Sequence, residues 1–166
     1  MMNKKIIGVM ALAIMMFVGV CPAFAETSST ATQSVTVKVN PTVAITVNSP
    51  LDFGALDADG SSNTLTTTVT STSNVAIDVW TKAADFTYTG TETGDFLALT
   101  DFTYGTSSTP FTTDYAKCLT MVKAPKKSST SSTLDLTITA PVGTSAGKYD
   151  TSVTYTAVQK DAAKPA

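Results

Sequence analysis

The stretch from Thr133 to Ala157 constrains the fold most, because apolar and polar residues alternate along it in two runs. The apolar positions of the two runs, in chain order, are Leu134, Leu136, Ile138, Tyr149, Val153, Tyr155 and Ala157. A loop with proline and two glycines, Pro141 to Gly147, separates them. This period-2 pattern predicts an antiparallel hairpin with one buried face. Because an isolated hairpin is only marginally stable in water, we expect a second sheet to pack against it.

The chain upstream of this stretch supplies further runs of the same kind. The clearest are Val35 to Val39, Val43 to Val47, Leu65 to Thr70 and Val75 to Val79. The middle third is less regular, and its candidate strands are Phe86 to Tyr88, Phe96 to Leu99, Phe102 to Tyr104 and Leu119 to Val122. No long window shows the 3.6-residue period of an amphipathic helix. The sequence therefore predicts an all-β domain from residue 33 to residue 160, followed by a disordered tail from residue 161 to residue 166.

The N-terminus has the pattern of a secretory signal peptide. Lys4 and Lys5 precede an apolar run, and Ala23-Phe24-Ala25 has the small residues of a cleavage site. We expect residues 1–25 to be removed, which leaves a flexible leader from residue 26 to residue 32. A retained membrane anchor is the alternative, although the apolar run is shorter than the roughly 20 residues that span a bilayer. A lipid on Cys21 is a second alternative.

The mature composition limits the possible functions. Serine and threonine supply 48 of its 141 residues, which favours exposed strand positions and turns. Nine lysines face thirteen acidic residues, and the chain has no arginine, so nothing indicates nucleic-acid binding. With no histidine and only Cys118 left after cleavage, a zinc site, a histidine-based triad and an internal disulfide are excluded. Cys118 is then either a small buried apolar residue or a reactive or intermolecular thiol.

Two stretches resemble known extracellular domains. Ser49-Pro50-Leu51-Asp52-Phe53-Gly54, followed by Asp59-Gly60 and the run from Thr68 to Val75, resembles the opening of Hydin-type immunoglobulin-like domains of archaeal and bacterial cell-surface proteins. The closing pattern from Pro141 to Tyr149 is similar to the last hairpin of many bacterial extracellular sandwiches. The resemblance implies a single antiparallel Greek-key, immunoglobulin-like sandwich of about seven to nine strands. It also implies that Leu51 and Phe53 enter the core while Gly54 lets the chain bend.

Two groups of residues are weak candidates for ligand binding. Asp52, Asp57 and Asp59 could supply oxygen ligands to calcium, and the alternative is a solvated turn. The aromatic residues Trp80, Tyr88 and Tyr104 could stack on sugars if they share an exposed face, and the alternative is a core filled by aromatic side chains. No pair of carboxylates is placed for catalysis, so we expect neither an enzyme nor a cofactor, with calcium as the one possible exception.

These observations favour a secreted, non-catalytic structural or adhesive protein at the extracellular cell surface. The segment from Ala31 to Val39 could add as a β-strand to a neighbouring subunit or another surface protein, or it could pair within its own domain. The alternative function is an extracellular binding module for a polysaccharide or another ligand. Neither hypothesis involves nucleic acid, and we expect no membrane span after signal cleavage.

Overall fold

The computed structural model describes residues 30–166, and nearly all of its regular structure is β-strand. The signal peptide predicted at residues 1–25 lies outside the described residues, and so do residues 26–29 of the predicted leader. Within residues 30–166 the helical structure is one 3₁₀ turn, Leu99–Asp101. No helix in this part of the chain has the length and apolar character that crossing a membrane requires. The predicted all-β class is confirmed for the described residues.

Ten strands form three antiparallel sheets within the described part of the chain. In chain order they are β1 (Ile45–Val47), β2 (Ser62–Ser71), β3 (Ile77–Ala83), β4 (Thr87–Thr89), β5 (Phe102–Tyr104), β6 (Thr109–Pro110), β7 (Ala116–Met121), β8 (Thr130–Thr139), β9 (Lys148–Asp150) and β10 (Val153–Gln159). Sheet A has the order β1-β2-β8-β5-β6, and sheet B has the order β10-β3-β7. Strands β4 and β9 form the small sheet C.

The longest pairing joins β2 to β8 over ten residues, from Ser62 opposite Thr139 to Ser71 opposite Thr130. Threonines on the outer face bond across the two strands: the hydroxyls of Thr64 and Thr137 lie 2.7 Å apart. Alternate residues point inward, as the period-2 pattern predicts. The threonine-rich composition therefore serves a half-solvated sheet, since such cross-strand contacts stabilise pairing.

The two larger sheets pack on each other through a shared core. One cluster joins Leu134, Leu136 and Ile138 of β8 to aromatic side chains of the middle third, with Phe102 and Phe111 rings 4.4 Å apart. A second cluster joins residues of sheet A and sheet B, namely Val69, Ile77, Val79 and Met121. Sheet A therefore faces sheet B in a two-layer arrangement.

The predicted hairpin between the last two long strands is wrong. Strand β8 pairs with β2 and β5 in sheet A, whereas β10 pairs with β3 in sheet B. The chain between them crosses from one layer to the other and forms β9 on the way. Both strands bury one face, as the alternation predicts, but they do so from opposite layers.

Two other predicted strands are absent from the described residues. Residues 30–44 contain no strand, so the first strand of the domain is β1, and residues 96–98 form a loop before the 3₁₀ turn. Residues 161–166 have no strand, but the Asp161 N–H donates to Asp78 Oδ2 at 3.1 Å. The tail therefore begins with an anchored residue.

The corner from Leu51 to Gly54 lies against the core. Leu51 and Phe53 are partly buried and pack on the larger cluster, and the Phe53 ring meets the Phe102 ring edge-on at 5.9 Å. Gly54 has a φ of 70°, in the left-handed region that favours glycine. The Gly54 N–H donates to Asp52 Oδ1 at 2.8 Å, which closes the turn.

Candidate functional site

Three valines that precede the first strand are exposed to solvent. The exposed fractions of Val35, Val37 and Val39 are 83%, 82% and 75%. Ser34, Thr36 and Lys38 alternate with them. Residues 34–40, called here the N-terminal segment, thus carry the pattern of a half-buried strand without burying its apolar face. The unit that contains the sheets begins at Val39, and residues 34–38 belong to the preceding unit.

The chain is held firmly where the N-terminal segment ends. The side chain of Asn74 donates from Nδ2 to the Asn40 carbonyl at 2.9 Å and accepts from the Thr42 N–H through Oδ1 at 2.7 Å. The Asn74 N–H also donates to the Thr42 carbonyl at 3.2 Å. The Ala44 N–H donates to Ser73 Oγ at 3.0 Å. These bonds fix the point at which the segment leaves the domain.

The first strand, β1, is an edge of sheet A with unused backbone groups. Thr72 N donates to Ala44 O at 3.2 Å, and Asn48 N donates to Thr68 O at 3.4 Å. Even-numbered residues of β1 therefore turn their backbone groups toward β2, as alternation in an antiparallel pair requires. Val43, Ile45 and Val47 turn theirs away from the sheet.

The last strand, β10, is the corresponding edge of sheet B. Ala84 N donates to Ser152 O at 3.0 Å, and Lys160 N donates to Ala76 O at 2.9 Å. The even-numbered residues of β10 therefore bond to β3, which leaves Val153, Tyr155 and Ala157 with backbone groups on the open side. Within the described residues, no other strand pairs with that side of β10.

A groove of about 310 Å³ runs between these two edges. The residues that line it are Ile45, Thr46, Val47, Val153, Thr154 and Tyr155. Val47 of β1 is 36% exposed, and Val43, which precedes the strand, is 37% exposed, whereas Val69 on the neighbouring strand β2 is fully buried. The two sheets therefore leave apolar surface uncovered along this side.

The groove is uncharged, because its lining consists of apolar residues, two threonines and one tyrosine. Burial raises the pKa of Tyr155 to about 12, so this side chain is neutral throughout the physiological range. Such a surface fits uncharged apolar side chains and not an ionic ligand.

The structure does not bring the calcium candidates into one binding site. Asp52 closes its own turn, and Asp59 accepts hydrogen bonds from the N–H and hydroxyl of Ser61. These Ser61 bonds lower the pKa of the Asp59 carboxyl. Among residues 30–166, no three histidine, cysteine or acidic side chains are grouped closely enough to hold a metal ion. Asp57 is exposed and takes part in none of these bonds.

The aromatic candidates lie in three different places. Tyr104 is buried in the core beside Phe111, with ring centres 4.8 Å apart. Trp80 is half-buried on β3, opposite Thr156 of β10. Tyr88 lies in the small sheet C and donates from its hydroxyl to the Ala146 carbonyl at 2.8 Å. The three rings share no exposed flat face, which gives a sugar-stacking surface no support.

Cys118 has the environment of an apolar side chain. It is half-buried, and its thiol donates to the Val79 carbonyl at 3.3 Å. Burial raises the pKa of the thiol to about 12, so very little thiolate forms at neutral pH.

Asp78, the most buried acid of residues 30–166, has three partners for its carboxylate. Its carboxylate accepts from the Thr120 hydroxyl at 2.7 Å and from the Asp161 N–H, and Lys117 Nζ lies 3.4 Å away. The Thr120 hydrogen bond is the largest cause of the lowered pKa of Asp78. A carboxylate held in this way anchors the C-terminal residues and has no free face for chemistry.

The sequence reasoning identified the N-terminal valines and the turn at Ser73-Asn74, but it missed the anchoring role of Asn74 and the groove. An Asn in a turn between two strands is a visible signal, yet its partners lie more than thirty residues upstream. The chain matches no protein-family model, no curated protein and no solved structure. The candidate site therefore stands on its own geometry.

Proposed function

We propose that this chain is a secreted, non-catalytic structural or adhesive protein of the extracellular cell surface, whose subunits join by β-strand addition. The Greek-key, immunoglobulin-like classification belongs to this proposal, and the two facing antiparallel sheets are consistent with it. The signal-peptide pattern of residues 1–25 supports export.

The observation that carries the proposal is the exposure of Val35, Val37 and Val39 on a segment with strand alternation. Full burial of one valine side chain contributes about 1.5–3 kcal/mol, so three contribute about 5–9 kcal/mol. Association costs about 4–15 kcal/mol in lost freedom of motion. The two ranges overlap, so the valines alone leave no clear surplus, and the backbone hydrogen bonds of an added strand supply further stabilisation.

The test compares two variants of the chain from Glu26 to Ala166 with matched charge. Val35→Asp/Val37→Asp places two carboxylates on the apolar face of the N-terminal segment. Ser34→Asp/Thr36→Asp places two carboxylates on its polar face. Light scattering over a wide concentration range, with negative-stain microscopy of the large species, measures assembly of each protein.

We expect the unsubstituted chain and the polar-face variant to form oligomers or filaments. The apolar-face variant should remain a monomer with an unchanged circular dichroism spectrum, because its substituted residues are exposed in the monomer. A strictly monomeric unsubstituted chain at every concentration would refute the proposal. Equal assembly by both variants would refute the role of the valine face.

A further inference from the structure

We propose that the N-terminal segment of one copy adds as a strand to the open edge of β10 in a second copy, with its valines in the groove between β1 and β10. This inference rests on the proposed function and specifies where the added strand binds. The occupant is a second copy of this chain.

The first argument is a match of length and period. Strand β10 has seven residues, from Val153 to Gln159, which is long enough to pair with the alternating run from Val35 to Val39. The outward backbone groups of β10 belong to every second residue, so an added strand forms hydrogen bonds with β10 at every second residue. Side chains two residues apart on that strand then point to the same face, toward the groove. Val35, Val37 and Val39 have that spacing.

The second argument is chemical complementarity. The groove is lined without charge, and the valines are the apolar side chains of the segment, while Lys38 lies on the opposite face of the alternation. A strand added there therefore covers the half-exposed Val47 and leaves the lysine in water. The exposed valines of the segment and the apolar lining of the groove then cover each other.

The third argument concerns which copy provides the strand. The chain has no turn or bend between Val39 and Val47, and Asn74 holds both Asn40 and Thr42. To enter the groove of its own copy, the segment would have to lie beside β1. The chain would then have to reverse direction within the residues that Asn74 holds. Pairing with a second copy requires no reversal.

Edge β10 is chosen over β1 because of its length. The first strand offers three residues, whereas β10 offers seven, and sheet B has only three strands to which a fourth can be added. The Ala157 N–H points to the open side, so proline at this position removes a donor that the domain itself does not use. This makes the edge testable by a single substitution.

The experiment uses two acceptor variants of the mature chain. Ala157→Pro blocks the edge of β10, and Val47→Lys places a charge in the groove at a residue that is already 36% exposed. Val142→Lys, in the exposed loop between β8 and β9 and not among the residues that line the groove, is the control for added charge. Light scattering measures assembly, and thermal circular dichroism confirms that each variant is folded.

We expect both acceptor variants to need at least tenfold higher concentration for assembly than the unsubstituted chain, and the control to assemble normally. Mixing an acceptor variant with the donor variant Val35→Asp/Val37→Asp should give a complex of twice the monomer mass that grows no further. Each partner then supplies the one surface that the other lacks. This mixed complex also shows that an acceptor variant keeps a functional donor segment.

The outcomes separate this inference from the proposed function. An unsubstituted chain that never assembles refutes the proposed function itself. An unsubstituted chain that assembles while Ala157→Pro assembles equally well overturns the placement on β10 and leaves the proposed function intact. If Ala157→Pro does not fold, Val47→Lys decides the question. The placement is overturned if Val47→Lys assembles normally, and also if it forms no complex with the donor variant.

Discussion

Replacing Val37 with threonine should separate the stability of the monomer from the strength of assembly. Threonine has nearly the same shape as valine, so the substitution exchanges one methyl group for a hydroxyl. Val37 is 82% exposed in the monomer, and we expect its free energy of unfolding to change by less than about 0.5 kcal/mol. Buried against a second copy, the hydroxyl costs about 1–3 kcal/mol unless it finds a partner.

The matched substitution Val69→Thr should behave in the opposite way. Val69 is fully buried between the two sheets, where it packs with Ile77, Val79 and Met121. The same hydroxyl there should lower the free energy of unfolding of the monomer by about 1–3 kcal/mol. Assembly measured well below its unfolding transition should change less than for Val37→Thr, because Val69 lies on no exposed surface.

Urea unfolding of dilute protein measures the first quantity, and light scattering against concentration measures the second. A cost of about 1–3 kcal/mol raises the concentration needed for assembly by about 5- to 150-fold for Val37→Thr. Loss of more than 1 kcal/mol from the monomer of Val37→Thr would show that this residue is packed in the isolated chain. Unchanged assembly of Val37→Thr would show that its side chain stays in water.

Three further predictions concern the residues around this site and the core. Asp78→Asn should lower stability at pH 7 by about 1–3 kcal/mol. The folded-state pKa of Asp78 lies below its ordinary 3.8, so the difference in free energy of unfolding from the unsubstituted chain should persist down to about pH 4 and shrink at lower pH. Urea unfolding from pH 7 to pH 3 measures this difference. Asn74→Ala removes side-chain hydrogen bonds of 2.7 and 2.9 Å, so we expect the free energy of unfolding to fall by about 1–3 kcal/mol and hydrogen exchange at the Thr42 amide to become faster. Unchanged exchange at this amide would contradict the anchoring role of Asn74. Cys118 should react with iodoacetamide at pH 8 at least a hundredfold more slowly in the folded protein than in urea, and equal rates would mean that its thiol is accessible.

Alternation predicted which residues face the core. The run from Leu65 to Thr70 lies within β2, and the apolar positions Leu134, Leu136 and Ile138 are buried on β8. These positions can be predicted because side chains alternate between the two faces of a strand with a strict period of two. A few consecutive residues therefore show which face is buried. No information from distant parts of the chain is needed.

Alternation did not predict which strands pair. Val153 and Tyr155 follow the run of β8 closely in sequence, yet they lie in the opposite sheet. Two successive strands can each bury an apolar face either side by side in one sheet or across the core from each other. The alternation of apolar and polar residues is the same in both cases. The loop from Ala140 to Ser152 is long enough for the crossing, and β8 takes its partner from the distant strand β2, with Thr130 opposite Ser71.

The N-terminal segment shows the same limit from the other direction. Val35, Val37 and Val39 predict a strand as clearly as Leu65 to Thr70 do, but within residues 30–166 they have no strand beside them. A local pattern specifies that one face is to be buried and says nothing about which chain buries it. In this molecule a strand pattern stays exposed and an uncharged groove stays uncovered, and the proposed pairing between copies would bury both without any change in the domain.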